Sequence, residues 1–99
     1  MDDISSARGF QWDQGSAEKN WVTHRVSQTE CEQVFFNRPV VVAEESVREQ
    51  REPRYHALGQ TDPARLLFVV FTIRDQLIRV ISARDMSRPE RRVYQSARE

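Results

Sequence analysis

Residues 65–83 constrain the fold more than any other stretch. Arg65 to Arg74 reads as a strand that is apolar on both faces, with Leu66 to Phe71 uninterrupted by a polar side chain. A strand of that kind belongs inside a sheet, covered on both sides. Asp75-Gln76 leaves room only for a tight turn, so Leu77 to Ala83 must return antiparallel beside it. The centre of this chain is therefore expected to be a β-hairpin.

The flanking segments carry clear local signals. Asp13 is a good helix N-cap, and the pattern from Glu18 to Trp21 predicts a helix that stops near His24-Arg25. Cationic side chains at that end complement the terminal carbonyls, and His24 reads as such a structural cap. Ser27 and Glu30 form a capping box for a second helix, in which Cys31, Val34 and Phe35 make one apolar stripe. Pro39 ends it. Val40 to Ala43 and Arg54 to Gly59 read as strands, joined by a charged loop from Glu44 to Pro53. A further turn runs from Gln60 to Ala64 around Asp62-Pro63. Ser87 with Glu90 caps a last helix over 88–97. The expected fold is α+β: a four-stranded antiparallel sheet with two N-terminal helices and one C-terminal helix, all packed against one face. Residues 1–9 read as a flexible leader, and 10–97 as a single domain.

Alternation along the fourth strand puts Ile78, Val80 and Ser82 under the helices. Arg79, Ile81 and Ala83 then point to the open face, with Arg54 and His56 nearby. A bulge would change this facing. Arg84 leaves the strand end, and Arg88, Arg91 and Arg92 follow. Val- and Ile-rich strands serve burial, so arginine inside one is charge held at a fixed place. Guanidinium forks suit phosphate because their planar donors bind it bidentately.

Charge supports that reading. The chain has 15 Lys and Arg against 15 Asp and Glu, and Lys19 is its one lysine. The balance is uneven: residues 28–53 hold six acids and three arginines, while 54–99 hold nine arginines and five acids. The local field on the C-terminal half is positive although the total is zero. Cys31 cannot form an internal disulfide and reads as core. The first residues lack a secretory pattern, so the cytoplasm is the expected compartment. No apolar run reaches membrane-span length, and no membrane contact is expected. Two histidines 32 residues apart and one cysteine do not give metal-ligand spacing, so no metal and no cofactor is expected.

Taken together, several segments resemble one family. Phe10-x-Trp12-Asp13, Asn20, His24-x-Val26 and Val34-Phe35 resemble the opening of the BrnT family. Glu52-x-Arg54-Tyr55-x-x-Leu58-Gly59 resembles its second-strand segment, and Arg79-Val80-Ile81-Ser82-Ala83-Arg84 with Glu90-Arg91-Arg92-x-Tyr94 resembles its C-terminal signature. The resemblance implies a RelE-like fold and the toxin half of a type II toxin–antitoxin pair, which cuts RNA and arrests translation. It also implies a ribbon-helix-helix antitoxin as partner, a heterotetrameric complex, and operator DNA contacted only through that antitoxin. Ser16, Thr23, Arg25, Pro53 and Gln60 depart from the family pattern, and the first two lower the positive charge of the first helix.

RNA brings its own nucleophile, the 2′-hydroxyl, so cleavage needs no metal. It needs a base, an acid and a cation that keeps its charge. Arg79 and Arg84 are the expected cations, unless they pair internally with Glu44, Glu45 or Glu52. Glu52 and His56 are the candidate bases, since histidine can exchange protons near neutral pH. Arg54, Arg88, Arg91, Arg92 and Lys19 are expected RNA contacts, and Tyr94 is a candidate to stack on a base or donate a hydrogen bond. The competing reading is a weak or inactive protein that binds RNA or antitoxin and acts as a co-repressor.

Overall fold

A computed structural model describes residues 7–45 and 53–98. Three helices and five strands follow in the order β1 (Gly9–Gln11), α1 (Gln14–His24), α2 (Gln28–Phe36), β2 (Val41–Glu44), β3 (Tyr55–Gln60), β4 (Leu66–Arg74), β5 (Leu77–Asp85) and α3 (Arg88–Arg98). The strands form one sheet, ordered β1-β5-β4-β3-β2. The β2–β3, β3–β4 and β4–β5 pairs are antiparallel, as expected. β1 was not expected: it pairs parallel with β5, Phe10 beside Ile78, which makes the sheet mixed and five-stranded. Sheet pairing thus starts one residue before Phe10. Gly9 lies in a strand, and the Arg8 amide donates to the Gln76 carbonyl at 2.6 Å. Residues 1–6 of the expected leader and most of the charged loop after β2 lie outside the described residues.

The helix termini form as their capping residues dictate. Asp13 accepts from the amides of Gly15 and Ser16. Ser27 and Glu30 exchange both bonds of a capping box, and Ser87 and Glu90 do the same for α3. α1 ends at Arg25, in the left-handed region with φ 54°. Its last carbonyls are not capped by His24. Arg65 reaches across instead, donating to the carbonyls of Arg25 at 2.8 Å and His24 at 3.0 Å. The same guanidinium binds Glu30 and Asp85. It locks the end of α1, the start of α2 and the end of β5 together.

The helices do not share one face. α1 and α2 cover the side that carries Ala57, Leu67, Val69, Phe71, Val80 and Ala83, and here the main core forms with Val26, Cys31, Val34 and Phe35. Each large apolar side chain buried here contributes roughly 1.5–3 kcal/mol. Trp12 and Phe10 pack against this core, and the Trp12 indole donates to Glu32 at 2.8 Å. Cys31 is buried as expected, and burial pushes its thiol up to about 12. Gly59 permits close contact with α2, since a Cβ there would sit 2.6 Å from the Val34 Cγ1. α3 packs on the opposite side, over one end of the sheet, where Tyr94 and Met86 meet Leu58 and Phe68. Among the described residues the remainder of that face is left open.

Candidate functional site

A bulge decides what the open face displays. Val70 pairs with Ser82 and the next residue, Phe71, pairs with Val80, so Ile81 is the extra residue of β5. Such an insertion reverses the alternation beyond it. Arg79 keeps the open side. Ser82, expected under the helices, is exposed, and Ala83, expected on the open side, is fully buried. The Ala83 amide is taken up by the buried Asn20 side chain of α1 at 3.2 Å. Arg84 follows Ser82 onto the open side, beside Phe68 in the pairing.

The site is built in rows across the sheet. His56, Val70 and Ser82 stand in one row through the β3–β4 and β4–β5 registers. Arg79 lies one side of that row, opposite Thr72, and Arg84 lies the other side, opposite Phe68. Their partners on β4, Phe68 and Thr72, are four positions apart, roughly 13 Å along a strand. The two arginines frame the His56 row instead of meeting at one point. Arg54 precedes β3 and continues its alternation on the His56 side, half-buried.

Each arginine has a carboxylate, and neither carboxylate was among those expected from the sequence. Arg84 makes a two-pronged pair with Glu90, both bonds at 2.9 Å, and a third bond to the Asp85 carbonyl at 3.1 Å. This raises the pKa of Arg84, chiefly through the bond to Glu90. The same bond, with the Ser87 amide, pulls the Glu90 carboxyl down to about 2. Glu90 is therefore a fixed anion at neutral pH and no proton donor. The Arg84 guanidinium carbon also lies 4.2 Å from the Phe68 ring centroid, a cation–π contact. His56 stacks on Phe68 from the β3 side, centroids 5.5 Å apart and planes inclined by 29°. Arg79 is held more loosely, 3.7 Å from the Asp13 carboxylate that caps α1.

The other sequence-expected residues divide. Arg88, Arg91 and Arg92 are exposed on α3, beside this face. Lys19 is exposed on α1, which packs on the opposite side of the sheet, so it does not join them. Tyr94 corrects the expectation of base contact. Its side chain is 0% exposed and its hydroxyl donates to the Pro39 carbonyl at 2.8 Å. Burial raises its pKa, and its role is to anchor α3 to the sheet. Glu52 lies outside the described residues. Among the described residues no three His, Cys, Asp or Glu side chains converge as metal ligands do.

Sequence reasoning missed Phe68, Leu58 and Val93 as parts of this face, and it read Glu90 only as a helix cap. The capping box itself held a clue. It places Glu90 in the first turn of a helix that starts just beyond Arg84, where the chain can fold back on the strand end.

The open face, flanked by guanidinium groups and carrying one histidine, suits a phosphodiester substrate. The comparisons agree on fold and family. The model of the family described as ribonuclease toxin, BrnT, of type II toxin–antitoxin system matches residues 12–90. A crystal structure of the Brucella abortus ribonuclease toxin BrnT shares the fold. Its TM-score is 0.57 at 18% identity, covering 81% of this chain and 97% of that one. No protein of curated function matches. No helix among the described residues is long and apolar enough to cross a membrane. The family match spans most of the chain and includes α1, the His56 strand and the Arg84–Glu90 junction, so this protein belongs to the BrnT family of ribonuclease toxins of type II toxin–antitoxin systems.

Proposed function

We propose that this toxin cleaves RNA without a metal, at the open face of its sheet, and thereby arrests translation. The 2′-hydroxyl of the substrate attacks the adjacent phosphorus, forming the O2′–P bond as the P–O5′ bond breaks. A base accepts the 2′-hydroxyl proton and an acid supplies one to the departing 5′-oxygen. His56 is the described open-face side chain suited to proton transfer, and Glu52 is the second candidate base. Arg84 stabilises the charge that gathers on the phosphoryl oxygens, and Arg79, on the other side of the row, holds the neighbouring phosphate; both keep their own charge throughout. Arg54, Arg88, Arg91 and Arg92 guide the flanking phosphates. One observation carries this reading: the His56–Val70–Ser82 row is bracketed by Arg79 and Arg84 on a face that the helices leave uncovered.

The decisive experiment is cleavage of a defined RNA by the purified chain in chelator. Products ending in a 2′,3′-cyclic phosphate support the proposal. Loss of cleavage when the 2′-hydroxyl at the cut site is replaced by hydrogen supports it further. Intact RNA with folded protein, or cleavage restored only by divalent ions, overturns it. Growth arrest on induction of the chain alone, relieved by its antitoxin, is the cellular counterpart.

A second reading is favoured by the ion pairs: Arg84 and Arg79 each already hold a carboxylate, so the face binds RNA or antitoxin without cutting. That reading predicts salt-sensitive RNA affinity and no products. For the partner we propose a ribbon-helix-helix antitoxin, assembled with the toxin as a cytoplasmic heterotetramer that touches operator DNA through the antitoxin. Light scattering on the co-purified complex tests the stoichiometry.

A further inference from the structure

Between α3 and the sheet lies a groove of about 310 Å³, lined by His56, Leu58, Phe68, Pro89, Glu90 and Val93. We propose that it is a nucleobase subsite, which holds the base of a single-stranded nucleotide next to the phosphate bound on the open face. This rests on the ribonuclease reading above and adds to it a preference among bases.

The lining is of the wrong chemistry for a backbone channel alone. Phosphate and ribose ask for donors, and most of this lining is ring and aliphatic surface. Phe68 sits in the central strand with Arg84 on its β5 side and His56 on its β3 side. Leu58 extends that floor, and Pro89 and Val93 face it from the helix. Val93 is 55% exposed although it stands beside apolar neighbours, so the groove is open to an entering ring. Arg84 and His56 already flank Phe68, so the surface left for a base is the His56 ring with Leu58, Pro89 and Val93. A mostly apolar groove with a fixed cation beside it matches a nucleotide, whose base seeks apolar contact and whose phosphate seeks charge. The guanidinium of Arg84 supplies the cation, and the exposed Arg88 and Arg92 lie on the same helix as Val93.

The rim gives selectivity. Glu90 Oε1 accepts from Arg84 and from the Ser87 amide, whereas among the described residues Oε2 accepts from Arg84 alone. Oε2 therefore keeps an open acceptor position. Cytosine, adenine and guanine carry an exocyclic amino group that can donate to it, whereas uracil offers only its ring N3–H. Amino-bearing bases should therefore bind more tightly than uracil.

Methyl NMR on the full chain tests this, following Leu58 and Val93 during titration with CMP, AMP, UMP and ribose 5-phosphate. The expected result is that CMP and AMP shift both methyl sets, with affinity at least threefold above UMP, and that ribose 5-phosphate leaves them unmoved. Val93→Gln, on an exposed helix position, should weaken CMP binding about tenfold as read at Leu58. Methyls that no nucleotide moves, or that ribose 5-phosphate moves equally, overturn the proposal. So do methyls that respond only to an antitoxin peptide. An RNA cleavage assay on the same sample separates the two levels. Cleavage without methyl shifts removes the subsite and leaves the nuclease, while shifts without cleavage do the reverse.

Discussion

Arg84 and Asp85 are consecutive, point to opposite faces of the sheet, and each joins an arginine–carboxylate pair. The two pairs differ in what they leave over. On the α1–α2 side, Arg65 spends all five of its N–H donors on protein: Nε on Asp85, Nη1 on the Arg25 carbonyl and Glu30, and Nη2 on the His24 carbonyl and Asp85. On the α3 side, Arg84 spends three on the Asp85 carbonyl and Glu90, and Nε has no partner among the described residues. A guanidinium has five donors in a planar fork. One arginine is thus saturated and acts as a clamp. The other is positioned, charged and still able to donate, which is what binding an anion requires. Ion pairing by itself does not distinguish a structural arginine from a functional one; the donors left unspent do.

Removing each arginine should break this comparison in opposite directions. Arg65→Ala strands two carboxylates and uncaps α1, and should cost about 3 kcal/mol of stability, the lower end for a broken buried pair given its partial exposure. The melting temperature would fall by more than 10 °C for a domain of this size, roughly 4–8 °C per kcal/mol. Arg84→Ala should cost about 1 kcal/mol of stability but slow RNA cleavage on the order of 10²-fold, the loss typical of one transition-state donor. Denaturant melts and single-turnover cleavage on both variants settle it. If Arg84→Ala unfolds the protein, or Arg65→Ala lowers cleavage with stability intact, the assignment of roles is reversed.

What could be read from the sequence was what is decided locally. The 66–85 hairpin, both capping boxes and the Cys31–Val34–Phe35 stripe depend on neighbours in the chain, and each formed within a residue or two of expectation. β1 was invisible because three residues, Gly9-Phe10-Gln11, carry no alternation, and a parallel partner far along the chain makes them a strand. The bulge at Ile81 was invisible because Val80-Ile81-Ser82-Ala83 offers an acceptable apolar face in either register. The side chosen by α3 is set by where Tyr94 finds the Pro39 carbonyl, which is a tertiary fact. For the candidate site, the residue types of Arg79, Arg84 and His56 were legible. Their partners Asp13 and Glu90 were not, because both already had a local role as caps.

Gly59 sharpens the contrast between the faces at the level of packing. Its added Cβ would lie 2.6 Å from the Val34 side chain and 3.2 Å from the Val34 carbonyl, on the side where the core is already closed. Gly59→Ala should therefore destabilise by about 2 kcal/mol through overpacking. Leu58, its neighbour, faces the α3 side, so the Gly59 change should leave nucleotide contacts unaltered once the protein is folded. A Gly59→Ala protein as stable as the parent would show that α2 does not press on β3 as closely as described.

The smallest expected effect concerns pH, and it separates the two carboxylate sets. Glu90 is held at about 2 against the usual carboxylate value of 4.5, chiefly by its bond to Arg84. A lowered folded-state pKa gives stability that is complete above the unfolded value and is lost as pH falls through the folded one. The advantage of the parent over Glu90→Gln should thus be full above pH 4.5 and shrink as the pH falls toward about 2. Asp85 and Glu30 are also lowered, with the Arg65 bond leading for Asp85, while for Glu30 the Ser27 and Arg65 bonds outweigh its desolvation. Their loss adds slope in the same acid range but on the closed face, so Glu90→Gln should retain that part and Arg65→Ala should not. Melting temperatures of the three proteins between pH 2 and 7 resolve the contributions. An unchanging gap between the parent and Glu90→Gln across that range would mean that Glu90 holds no charge-assisted bond to Arg84. The open face would then lack the fixed cation on which cleavage and base binding both depend.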